Sequence, residues 1–315
     1  MHQAPPWTVR AARTDDAPLI CELLNAVDTI ETGAPDTELH SVEADLAHPD
    51  VDLAEDSWLA FENGRLVAYA LVLPATRAER VNIDHYVLPA HQAAGERLLE
   101  LAEGRARTRA ARSGAHRAVV HLHLNHEPTT DTALLDARGW RRVRRYHVMS
   151  RAISPQGDPV PEPPAGVTLR DCTDEADRRR AHALVEETFA GHFDHRSRTY
   201  EQWRHDMDAA QCDWSLVWIA ALEGAGDAAV LVSRNDRESM AWVNNLGVRE
   251  DVRGRGLGGH LLRHAFGAYA ALGRRTLGLG VDTLNTTGAL RLYEAHGMRR
   301  EYAVDTWEVR LPVAA

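Results

Sequence analysis

The chain repeats itself. Trp7, Thr8, Val9 and Arg10 return as Val167, Thr168, Leu169 and Arg170, and Trp58, Leu59 and Ala60 return as Trp218, Ile219 and Ala220. Near the two ends of the pattern, residues 133–140 (ALLDARGW) return as residues 291–298 (RLYEAHGM). A spacing of about 160 residues is far longer than a solenoid unit, so the pattern marks a duplicated domain. Between the copies, residues 154–166 lack apolar periodicity and are dense in proline, which makes them an extended linker. The expected organisation is therefore a first domain over 1–152, a Pro-rich linker over 153–166 and a second domain over 167–315. Each half reads as strand, helices, three strands, helix, strand, helix and two strands, an α/β (α+β) pattern.

Chemistry concentrates in residues 248–262, VREDVRGRGLGGHLL. A strand ends, a turn rich in Arg and Gly follows, and an amphipathic helix begins. Glycines at 254, 256, 258 and 259 let the backbone turn tightly and aim amide hydrogens outward, beside the positive end of the helix dipole. Arg253 and Arg255 add full charges, which suits a diphosphate better than a carboxylate. The helix is predicted from Leu257, Leu261, Leu262, Ala265, Ala268, Tyr269 and Leu272, with Gly273 ending it. A strand over 276–281 places Gly278 and Gly280 on one face, leaving room for close approach. After Asn285, a helix start, residues 289–296 form a short helix closed by Gly297.

Gly254, Gly256 and Gly259 also satisfy GxGxxG, with Asp282 near the place of a ribose ligand. A dinucleotide-binding domain needs the motif at its first strand with several βα units after it, and only about thirty residues remain beyond Asp282. A P-loop would need a following Gly-Lys-Ser/Thr, which is missing.

The segment resembles the GNAT acetyltransferases. The family's diphosphate motif, Arg or Gln, two residues, Gly, one residue, Gly or Ala, is present as Arg253, Gly254, Arg255, Gly256, Leu257 and Gly258. A second signature, an Asn followed by a short helix with a Tyr and a closing Gly-hydrophobic pair, is present as Asn285, Tyr293, Gly297 and Met298. With the duplication, the whole is similar to tandem GNAT proteins of the mycothiol synthase kind. The resemblance implies two tandem domains, each with a mixed, mostly antiparallel sheet flanked by helices. It further implies acetyl-CoA as donor, no metal, and direct attack by a primary amine of a small molecule. Leu246, Gly247 and Val248 would pair with the pantetheine amides, and one of their own amides would polarise the thioester carbonyl. Arg253, Gly254, Arg255, Gly256, Leu257, Gly258 and Gly259 would hold the diphosphate, and Asn285 and Ala289 would line the pantetheine arm. Tyr293 would be the general acid for the departing thiolate. The general base stays open: where some relatives carry a Glu, this chain has Trp242, Val243, Asn244 and Asn245, leaving Glu187, Asp282, Asp305 and Glu308. Two other readings remain: a peptide N-terminus as acceptor, and a CoA-binding sensor that performs no chemistry.

Acceptor recognition would fall to the helices after the second domain's first strand. Phe189, Phe193, Tyr200 and Trp203 lie there among Glu186, Glu187, Asp194, Asp206 and Asp208, a set suited to a cationic, partly apolar amine. The first half departs from the motif. Its loop, residues 88–97, is shorter and keeps only Gly95, Glu96 would repel phosphate, and Leu135 stands where Tyr293 would be. The first half is therefore expected to be a degenerate copy, and the pair an internal pseudo-dimer that can act as a monomer.

Composition narrows the partners. The apolar fraction of 44% with 26% charged residues is that of a soluble globular protein. Neither a signal peptide nor a membrane span is legible, so a cytoplasmic location is expected. The net charge of −10 disfavours nucleic acid and favours a cationic ligand. Cys21, Cys172 and Cys212 form no CxxC pair and read as reduced thiols. His121 with His123, and His260 with His264, each lack a third ligand for a metal.

Overall fold

The computed structural model describes residues 6–74, 79–193, 195, 197–209, 211–236 and 240–313. The first half runs β1 (Trp7–Arg10), α1 (Ala17–Thr32), α2 (Leu39–Leu46), α3 (Leu53–Asp56), β2 (Ser57–Glu62), β3 (Arg65–Val72), β4 (Arg80–Val87), α4 (Gln92–Arg112), β5 (Arg117–Asn125), α5 (Thr132–Ala137) and β6 (Arg141–Ala152). The second runs β7 (Val167–Asp171), α6 (Glu175–Phe189), α7 (Tyr200–Ala209), β8 (Val217–Leu222), β9 (Gly226–Arg234), β10 (Ala241–Val248), α8 (Leu257–Ala271), β11 (Thr276–Asp282), α9 (Ala289–Ala295) and β12 (Arg299–Pro312). Each half was expected to end on two strands. Each ends instead on one long strand, because residues 141–152 and 299–311 contain no Gly, Pro or Asn to turn the chain.

Those long strands move the division of the chain. The compact units are residues 1–145 with 302–315, and residues 146–301. In the first unit β1, β2, β3 and β4 pair antiparallel in order, β4 pairs parallel with β5, and β12 completes the sheet antiparallel to β5. In the second unit β7, β8, β9 and β10 pair antiparallel, β10 is parallel to β11, and β6 lies antiparallel to β11, with Thr276 opposite Ala152 and Asp282 opposite Tyr146. Each sheet is thus finished by a strand from the other half of the sequence. The boundaries 1–152 and 167–315 follow the repeat, whereas the packing follows the exchange of last strands.

In the second unit both faces of the sheet are covered, which is why β8 and residues 228–232 of β9 are apolar without a break. Trp218, Ala220, Ala229 and Leu231 point into the core beneath α8. Val217, Ile219, Val230 and Val232 point into the core beneath α6 and α7. Helix α8 forms as its periodicity predicts, but it ends at Ala271, Gly273 adopts φ +81°, and Leu272 is exposed rather than buried. The linker is ordered along α8. Asp158 pairs with Arg151 at 2.6 Å, and a Cβ on Gly267 would meet the Val160 backbone at 2.7 Å.

On α8, His260 is almost wholly buried with neither ring nitrogen hydrogen-bonded among the described residues, and His264 stacks edge-on against Trp218. Burial, then the charge of Arg263, holds the His260 ring below its ordinary value of 6.5; burial and His260 do the same to His264. In the first unit burial lowers His123 to about 4. The unfolded chain takes up these protons below about pH 6.5 while the folded chain resists, so their contribution to stability is complete above that pH and declines as pH falls. Between about pH 7 and pH 5 the melting temperature should drop. The drop should be smaller in His260→Leu, and equal drops in both proteins would show that burial of this ring is not the cause.

Candidate active site

Strand β10 meets β11 only over Ala241–Val243, opposite Leu277–Leu279. A bulge lies at the same point, since the register against β9 shifts between Val243 and Asn245. A bulge adds twist and turns a strand away from its neighbour. From Asn244 to Val248 the strand keeps β9 on one side, and a cavity of about 530 Å³ opens on the other. That volume is within the range of small-ligand sites, roughly 300–1,000 Å³.

Beyond the strand the chain enters a short 3₁₀ turn (Glu250–Val252) and then the glycine loop. Gly254 and Gly256 sit at φ +79° and +81° with open space where a Cβ would be, so the backbone conformation, not crowding, requires glycine there. Gly256 is the N-cap of α8 and no side chain caps it. The first amides of a helix have no acceptor within it, and Gly256 and Gly258, at this positive end of α8, line the cavity. Gly258 and Gly259 act differently. A Cβ on Gly258 would lie 3.3 Å from Leu292 and 3.5 Å from Val248, and one on Gly259 would lie 2.9 Å from the His296 ring. They let α9 close against α8. Arg253 donates from Nε to the Val248 carbonyl at 3.2 Å, tying the loop to the strand end.

Of the residues predicted from the sequence, Leu246, Gly247, Val248, Arg253, Gly254, Gly256, Gly258, Asn285, Ala289 and Tyr293 line this one cavity. Arg255 is exposed on the loop, Leu257 is buried in the core under it, and Gly259 faces His296. Asn285 does not cap α9. Its Oδ1 accepts from the Thr287 amide at 2.7 Å, and Gly288, at φ +81°, is the N-cap of a helix that starts at Ala289. Tyr293 is 7% exposed, and burial pushes its phenol up to about 12. The hydroxyl therefore holds its proton at neutral pH.

The structure also sorts the candidate bases and acceptor residues. Asp305 and Glu308 belong to the first unit, where Arg145 binds Asp305 at 2.6 Å and His121 binds Glu308 at 2.9 Å. Glu187 is largely exposed, with Arg249 at 3.6 Å. Asp282 lines the cavity, and its Oδ1 accepts from the Leu284 amide at 2.9 Å. Tyr200 and Trp203, on α7, face the core with Val217, Ile219, Val230 and Val232; Asp206 pairs with Arg198, Asp208 with Arg204, and Glu186 with His195. Asp194 lies outside the described residues. Phe189 does line the cavity, joined by Tyr146, Thr188 and His192, which the sequence reading did not assign to it. Tyr146 enters on β6, and only the strand exchange brings it to this unit. Among the described residues no group of three or more His, Cys, Asp and Glu is placed to hold a metal, and no helix is long and apolar enough to cross a membrane.

The family model for the acetyltransferase (GNAT) domain matches residues 213–299, which span the loop, β11 and α9. A search of curated proteins finds no match. Among solved structures, a GCN5-related N-acetyltransferase from Sphaerobacter thermophilus is similar at 26% identity and TM-score 0.85, over 99% of this chain and 98% of that one. A tandem GNAT protein from the clavulanic acid biosynthesis pathway is similar at 16% identity and TM-score 0.70, over 98% and 100%. A GCN5-related glucosamine N-acetyltransferase region of a fungal multi-domain β-N-acetylglucosaminidase is similar at 15% identity and TM-score 0.70, over 96% of this chain and 38% of that one. The last two likenesses are of fold.

Close packing behind the site is testable at Gly247, where a Cβ would meet the Thr188 Cβ at 2.9 Å and Phe189 at 3.3 Å. Gly247→Val should lower the unfolding free energy by about 1–3 kcal/mol in a urea titration. An unchanged midpoint would mean that α6 yields there without cost.

The glycine loop at the head of α8, the parted strands, the matching domain model and the full-length likeness at 26% identity agree: the chain carries a GNAT acetyltransferase domain in its second half and is an acyltransferase of that type.

Proposed function

We propose that the second unit transfers the acetyl group of acetyl-CoA to a primary amine of a small molecule by direct attack. The observation that carries this reading is the meeting, in one cavity, of the open side of β10 with the uncapped start of α8. A CoA thioester needs both: a row of backbone groups for an extended pantetheine amide chain, and a positive, hydrogen-bond-donating socket for its diphosphate. In this reading Leu246, Gly247 and Val248 receive the pantetheine arm, Arg253 to Gly259 the diphosphate, and Asn285 and Ala289 the far wall. Leu257 and Gly259 contribute through their backbone amides, and Arg255 through its charge at the rim.

Attack of an amine on the thioester carbonyl carbon makes a tetrahedral oxyanion, which an amide of the strand edge stabilises. Collapse breaks the C–S bond and sends the electron pair to sulfur. Tyr293, protonated at working pH, supplies the proton that the thiolate requires. A cavity of about 530 Å³ has the volume of a small-ligand site, which favours a small acceptor. The first unit is proposed to be non-catalytic. Its Leu135 is fully buried, Gly95 is packed under Val87, and His91 is taken by Glu62 at 3.0 Å.

Gly256→Glu should abolish acetyl-CoA binding in calorimetry, because its carboxylate would stand among the amides that receive the diphosphate; undiminished affinity would contradict the loop assignment. Tyr293→Phe should lower turnover at least about tenfold while leaving acetyl-CoA affinity little changed. Full thiol release by that variant would refute the acid role.

A further inference from the structure

Of the four candidate carboxylates Glu187, Asp305 and Glu308 do not line the cavity and Asp282 does, and the cavity contains another basic group beside it. His192 lies three residues beyond the end of α6. Its ring lies 4.3 Å from that of Phe189, centroid to centroid. Phe189 in turn lies against Gly247, the middle residue of the parted strand edge. Both rings line the cavity together with Gly247, Asp282 and Tyr293. Among the described residues nothing hydrogen-bonds the ring nitrogens of His192. The imidazole is thus braced from one side by an aromatic ring, beside the strand edge that would hold the thioester.

We propose that His192 is the general base that deprotonates the acceptor amine, an assignment that rests on the acetyl-transfer reading above. An unprotonated ring nitrogen takes one proton from R–NH3+, and the freed lone pair forms the C–N bond at the thioester carbonyl carbon. As the C–S bond breaks, the sulfur takes the phenol proton of Tyr293, and the second proton on nitrogen returns to the phenolate. The imidazolium gives its proton to solvent. The sum is amide, thiol and one released proton.

The charges around the ring fit this role. Burial keeps His192 below its ordinary value, Asp282 draws it upward, and His195 and Arg253 oppose Asp282. The ring is neutral near pH 7, as an acceptor must be, and Asp282 stands ready to stabilise the imidazolium once it forms. The sequence gives no hint of it, since His192 lies in a stretch with no periodicity and several other histidines.

The test uses full-length protein, acetyl-CoA, and spermidine, glucosamine and an aminoglycoside as acceptors. Acetyl-CoA affinity is read by calorimetry and thiol release is followed across pH. With the amine that the native protein acetylates, His192→Gln should lose at least about 100-fold in kcat/KM near neutral pH, with acetyl-CoA affinity unchanged. The acid limb of the native pH profile should vanish, and added imidazole should restore part of the turnover of His192→Ala. An unchanged rate and profile in His192→Gln, beside an active native protein, would overturn the role of His192 and leave acetyl transfer standing. Native protein that binds acetyl-CoA but releases no thiol with any of these amines would overturn both.

Discussion

Three residue pairs hold β10 to β11, and the site exists because the pairing stops there. Were the ladder to continue past Val243, the strand edge at residues 246–248 would be satisfied by a neighbour and the start of α8 would face protein. The bulge at Asn244 turns the strand away, and the edge at residues 246–248 faces the cavity instead of β11. Packing then keeps the gap open. Gly247 lets α6 press Thr188 and Phe189 against the strand from behind, while Gly258 and Gly259 let α9 seat against α8 and carry Tyr293 to the opposite wall.

The parts legible in the sequence were those with local causes. Positive-φ glycines, a helix start and a 3.6-residue period all leave marks within a few residues, so the loop and α8 could be read directly. The duplication was legible for the same reason, as two copies of the same local signals. What escaped was set by long-range pairing. Nothing in residues 141–152 says that they finish the sheet of the second unit, so Tyr146 could not be placed beside the cavity. Asp305 and Glu308 looked available only because β12 was counted with the wrong sheet. Tyr200 and Trp203 were read as an acceptor wall, since an amphipathic helix does not say which of its faces the core takes. The Asn285 segment was a milder case. An Asn is a good cap and a good turn former, and Gly288 won the cap.

The two units share a frame and treat the parting of their strands differently. In the first, β4 pairs with β5 only over Arg80–Ile83 and then diverges as β10 does. There the opening is bridged from within. His85 bonds the Gly95 carbonyl at 2.9 Å and lies 3.3 Å from the Thr130 hydroxyl, and Val87 packs closely against Gly95. Polar groups left bare by the divergence must find partners, whether ligand or protein. The first unit supplies its own.

The exchange of last strands has a consequence for the history of the chain. A gene cut at the proline-rich segment would deliver two pieces, each lacking the strand that finishes its sheet and each carrying a strand cut to fit the other. Once the crossover was established, neither copy could be shed, traded or shuffled as an independent module.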